Sequence, residues 1–254
     1  MAGSLRDRHA LVTGGGRGIG LAVAQALTTA GAAVTVLGRD RDSLDRAVRA
    51  GAAQGAVVAD VTDAGGLGVA VAEARKAHGA IDFLVANAGA AESALFAKSD
   101  GQLFRRMLDV NLMGVVHAAQ AVLAPMVERG FGRIVAVAST AGLKGYPYVA
   151  AYCAAKHAVV GLVRALALET AAAGVTVNAV CPGFTDTDLV AESHDRIDAK
   201  TGRSREEALA ELVRHNPQKR LVSPHEVADA VVWLCGEGAG AVTGQVIAVA
   251  GGEV

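Results

Sequence analysis

Tyr152 and Lys156 stand four positions apart, and Ser139 lies upstream of them at the end of the apolar run Ile134-Val135-Ala136-Val137. On a helix, residues spaced in this way share a face. A phenol ionises at about pH 10, too high for proton transfer near neutrality unless a neighbouring cation stabilises the phenolate. Lys156, together with an oxidised nicotinamide, would supply that field, and Ser139 could hydrogen-bond a carbonyl oxygen. Far upstream stands Thr13-Gly14-Gly15-Gly16-Arg17-Gly18-Ile19-Gly20, between the apolar pair Leu11-Val12 and an Ala-rich helical pattern. Glycines let the backbone approach a pyrophosphate, and the start of the following helix offers unpaired N–H groups and a positive dipole. The two constellations describe a site that holds a dinucleotide and gives a proton to a carbonyl as it is reduced.

The type of dinucleotide is written at the end of the second apolar run. Val34-Thr35-Val36-Leu37 leads into Gly38-Arg39, where an NAD site places a carboxylate for the ribose 2′-hydroxyl. Gly38 has no such group. Arg39 can meet a 2′-phosphate and Arg17 can flank it, which favours NADP(H). The alternative is NAD(H), with both arginines ordinary surface residues and Asp40 on the ribose.

Seven short β-branched or aliphatic runs, 10–12, 33–37, 56–59, 81–86, 133–138, 175–180 and 245–249, alternate with longer helical patterns. That alternation predicts one parallel, doubly wound α/β sheet. No break rich in Pro, Ser or charge divides it, so residues 1–254 form a single domain. Ser204-Arg205-Glu206-Glu207 and Ser223-Pro224-His225-Glu226 are capping boxes that open helices near 205–215 and 224–235. The polar stretch 186–203 interrupts the compact alternation, and 186–216 is the expected substrate lid. From Ala154 to Ala173 the helix after Tyr152 is apolar nearly all round. Such a helix packs against another subunit or is covered by its own chain.

Composition narrows the class. Of 254 residues, 52% are apolar and 19% charged, with a net charge of −1, which fits strands buried on both faces. Lys and Arg form no long run, so the footprint of a nucleic-acid binder is missing. Cys153, Cys181 and Cys235 lie in apolar contexts without metal-ligand spacing and read as buried thiols. His117, His194, His215 and His225 share no spacing with Cys or carboxylates that suggests a metal. His157, one residue beyond Lys156, points about 100° away around the helix and reads as structural. The start of the chain has no apolar signal region, and no uninterrupted apolar run is long enough to span a membrane, so a cytoplasmic protein is expected.

The chain resembles the short-chain dehydrogenases/reductases over essentially its full length. Thr13, Gly14, Gly18, Ile19 and Gly20, then Asp60-Val61, Asn87-Ala88-Gly89, Asn111, Ser139, Tyr152 with Lys156, and Pro182-Gly183 fall in that family's order and spacing. The resemblance implies a single Rossmann-type domain with helices on both faces of a seven-stranded sheet. It implies that Tyr152 donates the proton, Lys156 lowers its pKa and holds the nicotinamide ribose, Ser139 orients the carbonyl, and Asn111 anchors a water that links Lys156 to solvent. It places Asp60 and Val61 on the adenine and Asn87, Ala88 and Gly89 near the cofactor ribose. Pro182, Gly183, Thr185 and Thr187 would hold the nicotinamide carboxamide and diphosphate. Ala86 departs from the pattern where an Asn is common, as do Ala136 and Ala138 before the serine, but no reacting group is lost. Tyr146 and Tyr148, which lack a lysine four residues on, are candidate pocket walls.

Within the family the second half of the chain is most similar to 3-oxoacyl thioester reductases and aromatic polyketide ketoreductases, through Val177 to Phe184 and Ser139 to Gly142. Lys200, Arg203 and Arg205, beside Asp186, Asp188, Asp195 and Asp198, could meet the phosphates of CoA or the acidic face of an acyl carrier protein, or merely be solvated. An NAD-dependent 3-hydroxyacyl-CoA or secondary-alcohol dehydrogenase working oxidatively is the alternative, and a nucleotide-binding subunit without turnover is a third reading of a different class. The resemblance implies a homotetramer.

Overall fold

Unbroken runs of Val, Leu, Ile and Ala form strands that bury both faces, and in the computed structural model, which describes residues 5–187, 210, 213, 214 and 216–254, they make one sheet. Its strands are β1 (His9–Thr13), β2 (Ala33–Gly38), β3 (Gly55–Val58), β4 (Phe83–Ala86), β5 (Gly132–Val137), β6 (Val175–Pro182) and β7 (Val246–Val249). All pair in parallel, in the order β3-β2-β1-β4-β5-β6-β7. The seven expected strands are all present, each within two residues at either end. Between them run α1 (Gly18–Thr29), α2 (Arg41–Arg49), α3 (Ala64–His78), α4 (Gly101–Leu108), α5 (Gly114–Glu128), α6 (Ala150–Thr170) and α7 (Pro224–Cys235).

Strand alternation divides the core into two layers. Leu11, Leu84, Ile134 and Val177 face α3, α5 and α6 through Leu67, Val122 and Val163. Their neighbours Val12, Val85, Val135 and Val180 face α1, α2 and α7 through Leu27, Leu44 and Val231. The strand order reverses between β1 and β4, so the loops at their carboxyl ends splay apart. Open α/β sheets bind ligands in that crevice.

Ser223 caps α7 with the complete box: its side chain accepts from the His225 N–H, and Glu226 reaches back to the Ser223 N–H at 2.8 Å. The box at Ser204, most of the helix expected over 205–215 and most of the lid over 186–216 lie outside the described residues. The charged residues Lys200, Arg203, Arg205, Asp188, Asp195 and Asp198, with His194 and His215, lie there too. Two continuous helical stretches, Gly101–Glu128 and Ala150–Ala173, have the length and hydropathy of membrane spans. Each lays one face on the sheet within the first core layer. α6 is not covered all round: Ala154, His157, Gly161, Arg164, Ala165 and Leu168 form an exposed stripe, with Leu168 at 85% exposure.

Candidate active site

The turn after β1 folds as its glycines require. Gly18 holds φ at +55°, a left-handed value that a side chain disfavours. A Cβ on Gly20 would overlap the Gly14 carbonyl oxygen and stand 2.5 Å from Asn87 Nδ2. α1 begins at Gly18 with no side-chain cap and no acid in its first turn. Its N–H groups and dipole therefore face the crevice, as a diphosphate needs. Across the crevice Thr187 approaches this turn, its Cγ2 lying 3.4 Å from where a Gly18 Cβ would stand. Thr185 is buried, its hydroxyl donating to the Gly183 carbonyl at 2.9 Å.

The floor of the crevice is tied by Thr13. Its hydroxyl accepts the N–H of both Asn87 and Ala88 at 3.0 Å, while Asn87 Nδ2 donates back to the Thr13 carbonyl at 2.9 Å. Asn87 thereby locks β4 to the glycine turn. Thr13 opens the glycine motif, and its hydroxyl immediately before Gly14 is the sequence signal for this clamp. Just beyond β3, Asp60 Oδ1 accepts from the Thr62 N–H and hydroxyl at 2.9 and 2.8 Å, and Oδ2 lies 3.6 Å from Arg39 Nη1. The Thr62 N–H, more than Arg39, holds its carboxyl below the usual range. Val61 is buried under Gly114, and its carbonyl meets His117 Nδ1 at 2.9 Å. At Gly38 a Cβ would make only ordinary contact with Leu44, at 3.5 Å. Packing therefore does not force the missing acid. Arg17 and Arg39 are both exposed. Backbone donors at the start of α1, a close glycine turn and two exposed arginines near Gly38, where an acid is missing, fit an NADP-type dinucleotide.

Ser139, Tyr152 and Lys156 converge from β5 and α6. Ser139 follows β5 and caps the short helical turn Thr140–Gly142, its Oγ accepting from the Ala141 N–H at 3.1 Å. That turn is pressed on α6, where a Cβ on Gly142 would stand 2.8 Å from the Lys156 carbonyl oxygen. Tyr152 lies in the first turn of α6 and shares a hydrogen bond with Ser139. Lys156 is 4% exposed, its Nζ donating to the Val137 carbonyl at 2.9 Å and lying 5.6 Å from the Tyr152 ring centroid. Burial pulls Lys156 down to about 8. Burial also pushes the Tyr152 hydroxyl up to about 12, opposed by Ser139 and not by Lys156. Desolvation is the largest influence on both groups.

Asn111 sits in a π-helical turn, Asp109–Met113, between α4 and α5, and is fully buried. Its Nδ2 donates to the Ala90 and Met107 carbonyls at 2.8 and 3.0 Å, and its Oδ1 accepts from the Ala90 N–H at 3.3 Å. The side chain is thus committed to the loop after β4. A Cβ on Gly89 would stand 2.8 Å from Asn111 Oδ1 and 3.7 Å from Lys156 Nζ, so Gly89 is the spacer between them. π-turns recur at functional sites, and the extra residue here turns Asn111 inward. His157 is exposed, with Nδ1 2.9 Å from the Cys153 carbonyl, and takes no part in the crevice. The three cysteines are free and buried.

The comparisons agree with this geometry. The family model described as short chain dehydrogenase matches residues 8–198. The chain is 37% identical over 256 residues to the 2-(S)-hydroxypropyl-CoM dehydrogenase 3 of Xanthobacter autotrophicus, covering 99% of this chain and 98% of that protein. It is 36% identical over 247 residues to the acetoacetyl-CoA reductase of Rhizobium meliloti, covering 97% and 98%. A solved actinorhodin polyketide ketoreductase variant with NADPH superposes with a TM-score of 0.93 at 38% identity, covering 100% of this chain and 99% of that one. With the glycine turn, the Tyr152–Lys156 pair and the seven-stranded parallel sheet all in place, the chain belongs to the short-chain dehydrogenase family of oxidoreductases.

Proposed function

We propose that the protein reduces a ketone to a secondary alcohol with NADP(H), and that its substrate is a 3-oxoacyl thioester carried on CoA or an acyl carrier protein. The observation that carries the chemistry is the convergence of Ser139, Tyr152 and buried Lys156 at the carboxyl ends of β5 and α6's first turn. Ser139 Oγ holds the carbonyl oxygen. The Tyr152 hydroxyl, still protonated because burial keeps its pKa high, gives its proton to that oxygen. Lys156, cationic at neutral pH even at about 8, opposes the charge left on Tyr152. Asn111 fixes the loop that carries Gly89 beside the Lys156 ammonium. Gly14, Arg17, Gly18, Ile19, Gly20, Arg39, Asp60, Val61, Asn87, Ala88, Gly89, Pro182, Gly183, Thr185 and Thr187 line the path of the cofactor. A bound reduced nicotinamide supplies the hydride.

The thioester assignment draws on the relatives named acetoacetyl-CoA reductase and polyketide ketoreductase. The second reading, a dehydrogenase working oxidatively, draws on the 37% identical relative named a dehydrogenase. Loss of reduced-nicotinamide absorbance, with NADPH and NADH in parallel against acetoacetyl-CoA and simple ketones, separates them. NADPH with the thioester is expected to be fastest. Preference for NADH, or reaction only with non-thioester alcohols and ketones, would establish the oxidative reading. Tight NADPH binding without turnover on any carbonyl would leave a silent nucleotide-binding subunit.

A further inference from the structure

Glu253 is the next-to-last residue of the sequence, yet its side chain is only 2% exposed. A carboxylate is rarely buried without partners, and this one has two. Its Oε1 lies 3.0 Å from Lys144 Nζ and accepts the Tyr146 hydroxyl at 2.7 Å. Its Oε2 stands 3.3 Å from where a Gly183 Cβ would be. Lys144 also donates to the Glu253 carbonyl at 3.3 Å. The chain reaches this position by turning after β7 through Gly251 and Gly252, at φ +62° and +90°.

The network borders the reacting groups. The Tyr146 hydroxyl also meets Thr140 Oγ1 at 2.7 Å, one residue beyond Ser139. The Tyr146 ring stands edge-on to Phe184, with centroids 6.0 Å apart, and the Lys144 ammonium lies 5.1 Å from its centre. Burial, aided by the Glu253 charge, holds the Tyr146 hydroxyl well above the ordinary phenol range, so it stays a donor. A charged group at the end of the chain thus joins the turn that carries Ser139 to the loop that follows β6.

We propose that Glu253 is a positioning residue that acts through Tyr146, fixing the Tyr146–Phe184 wall and so deciding which ketones fit beside Ser139 and Tyr152 and which carbonyl face they present. This rests on the ketone-reductase reading above. Lys144 neutralises the carboxylate, so the wall is aromatic and held from behind. Freed from Glu253, the Tyr146 ring could swing and the pocket would lose shape selectivity.

The test uses the full chain and reads kcat/KM for acetoacetyl-CoA and for acetophenone, with the enantiomer ratio of each alcohol measured by chiral chromatography. Tyr146→Phe and Glu253→Ala are each expected to change the ratio of the two kcat/KM values by about tenfold, the scale of discrimination by pocket shape. The double variant should go no further than either single one, because both remove the same contact. Glu253→Gln, whose carbonyl still accepts the Tyr146 hydroxyl, should restore most of the selectivity. Substrate ratios and enantiomer ratios equal to wild type in all variants, or effects that add in the double variant, would overturn the proposal. A wild type that reduces no ketone overturns this inference and the functional reading together, whereas active wild type with unmoved ratios overturns this inference alone.

Discussion

Burial biases two groups at the centre of the site toward their neutral forms. Lys156 is drawn down to about 8 by burial and Tyr152 pushed up to about 12 by the same cause. Because the folded pKa of Lys156 lies below its unfolded value, the unfolded chain binds more protons between about pH 8 and pH 10.5. Stability contributed by this group therefore rises with pH across that window. Lys156→Met should stabilise the fold at pH 7 by about 1–2 kcal/mol in urea titrations. That gain should shrink as pH rises from 8 towards 10.5, while turnover is lost at every pH. Tyr152→Phe tests the acid role: turnover should fall by about 10²–10⁴-fold with the NADPH dissociation constant little changed. Retained turnover in that variant would remove Tyr152 from the mechanism.

At the scale of elements, the crevice depends on a clamp and a turn. Thr13 joins β1 to the loop after β4 by accepting two N–H groups. Thr13→Val would leave both donors without that partner and should cost about 2 kcal/mol of stability. Gly20 sits against the Gly14 carbonyl and Asn87. Gly20→Val should therefore shift the turn and weaken NADPH binding, read by quenching of nicotinamide fluorescence, without altering the paired strands. The side chains of the capping box on α7 bond to the box's own backbone N–H groups and to Arg220 rather than to Ser139, Tyr152 or Lys156. Ser223→Ala should cost about 1 kcal/mol and leave kcat unchanged.

At the scale of the whole molecule, the exposed stripe on α6 runs through Ala154, His157, Gly161, Arg164, Ala165 and Leu168, four of them small or apolar. Small residues permit close approach of a second helix, and Leu168 at 85% exposure is the natural anchor. We expect a homotetramer in which this face is covered. Leu168→Glu should lower the mass measured by light scattering, and an unchanged mass would locate any assembly elsewhere. Because Tyr152 and Lys156 stand on the same helix, dissociation should also lower activity.

Much of this was legible in the residues alone, because it follows from local rules. Each of the seven strands is an apolar run that has nowhere to hide but a sheet covered on both faces, and the helix start at Ser223 is written in the side chains that cap it. The spacing of Tyr152 and Lys156, the glycine turn at 14–20 and the missing acid at Gly38 likewise point to their chemistry without coordinates. What only the tertiary structure decided are the contacts between distant segments and the desolvation they produce. No local pattern places Thr187 against Gly18, turns Asn111 inward through a π-turn, or buries Lys156 so deeply that burial outweighs its neighbours. Nor does any motif mark Glu253, whose partners Lys144 and Tyr146 lie more than a hundred positions away. Propensity and periodicity act over a few residues, whereas burial and electrostatic fields are set by everything the completed fold brings within reach.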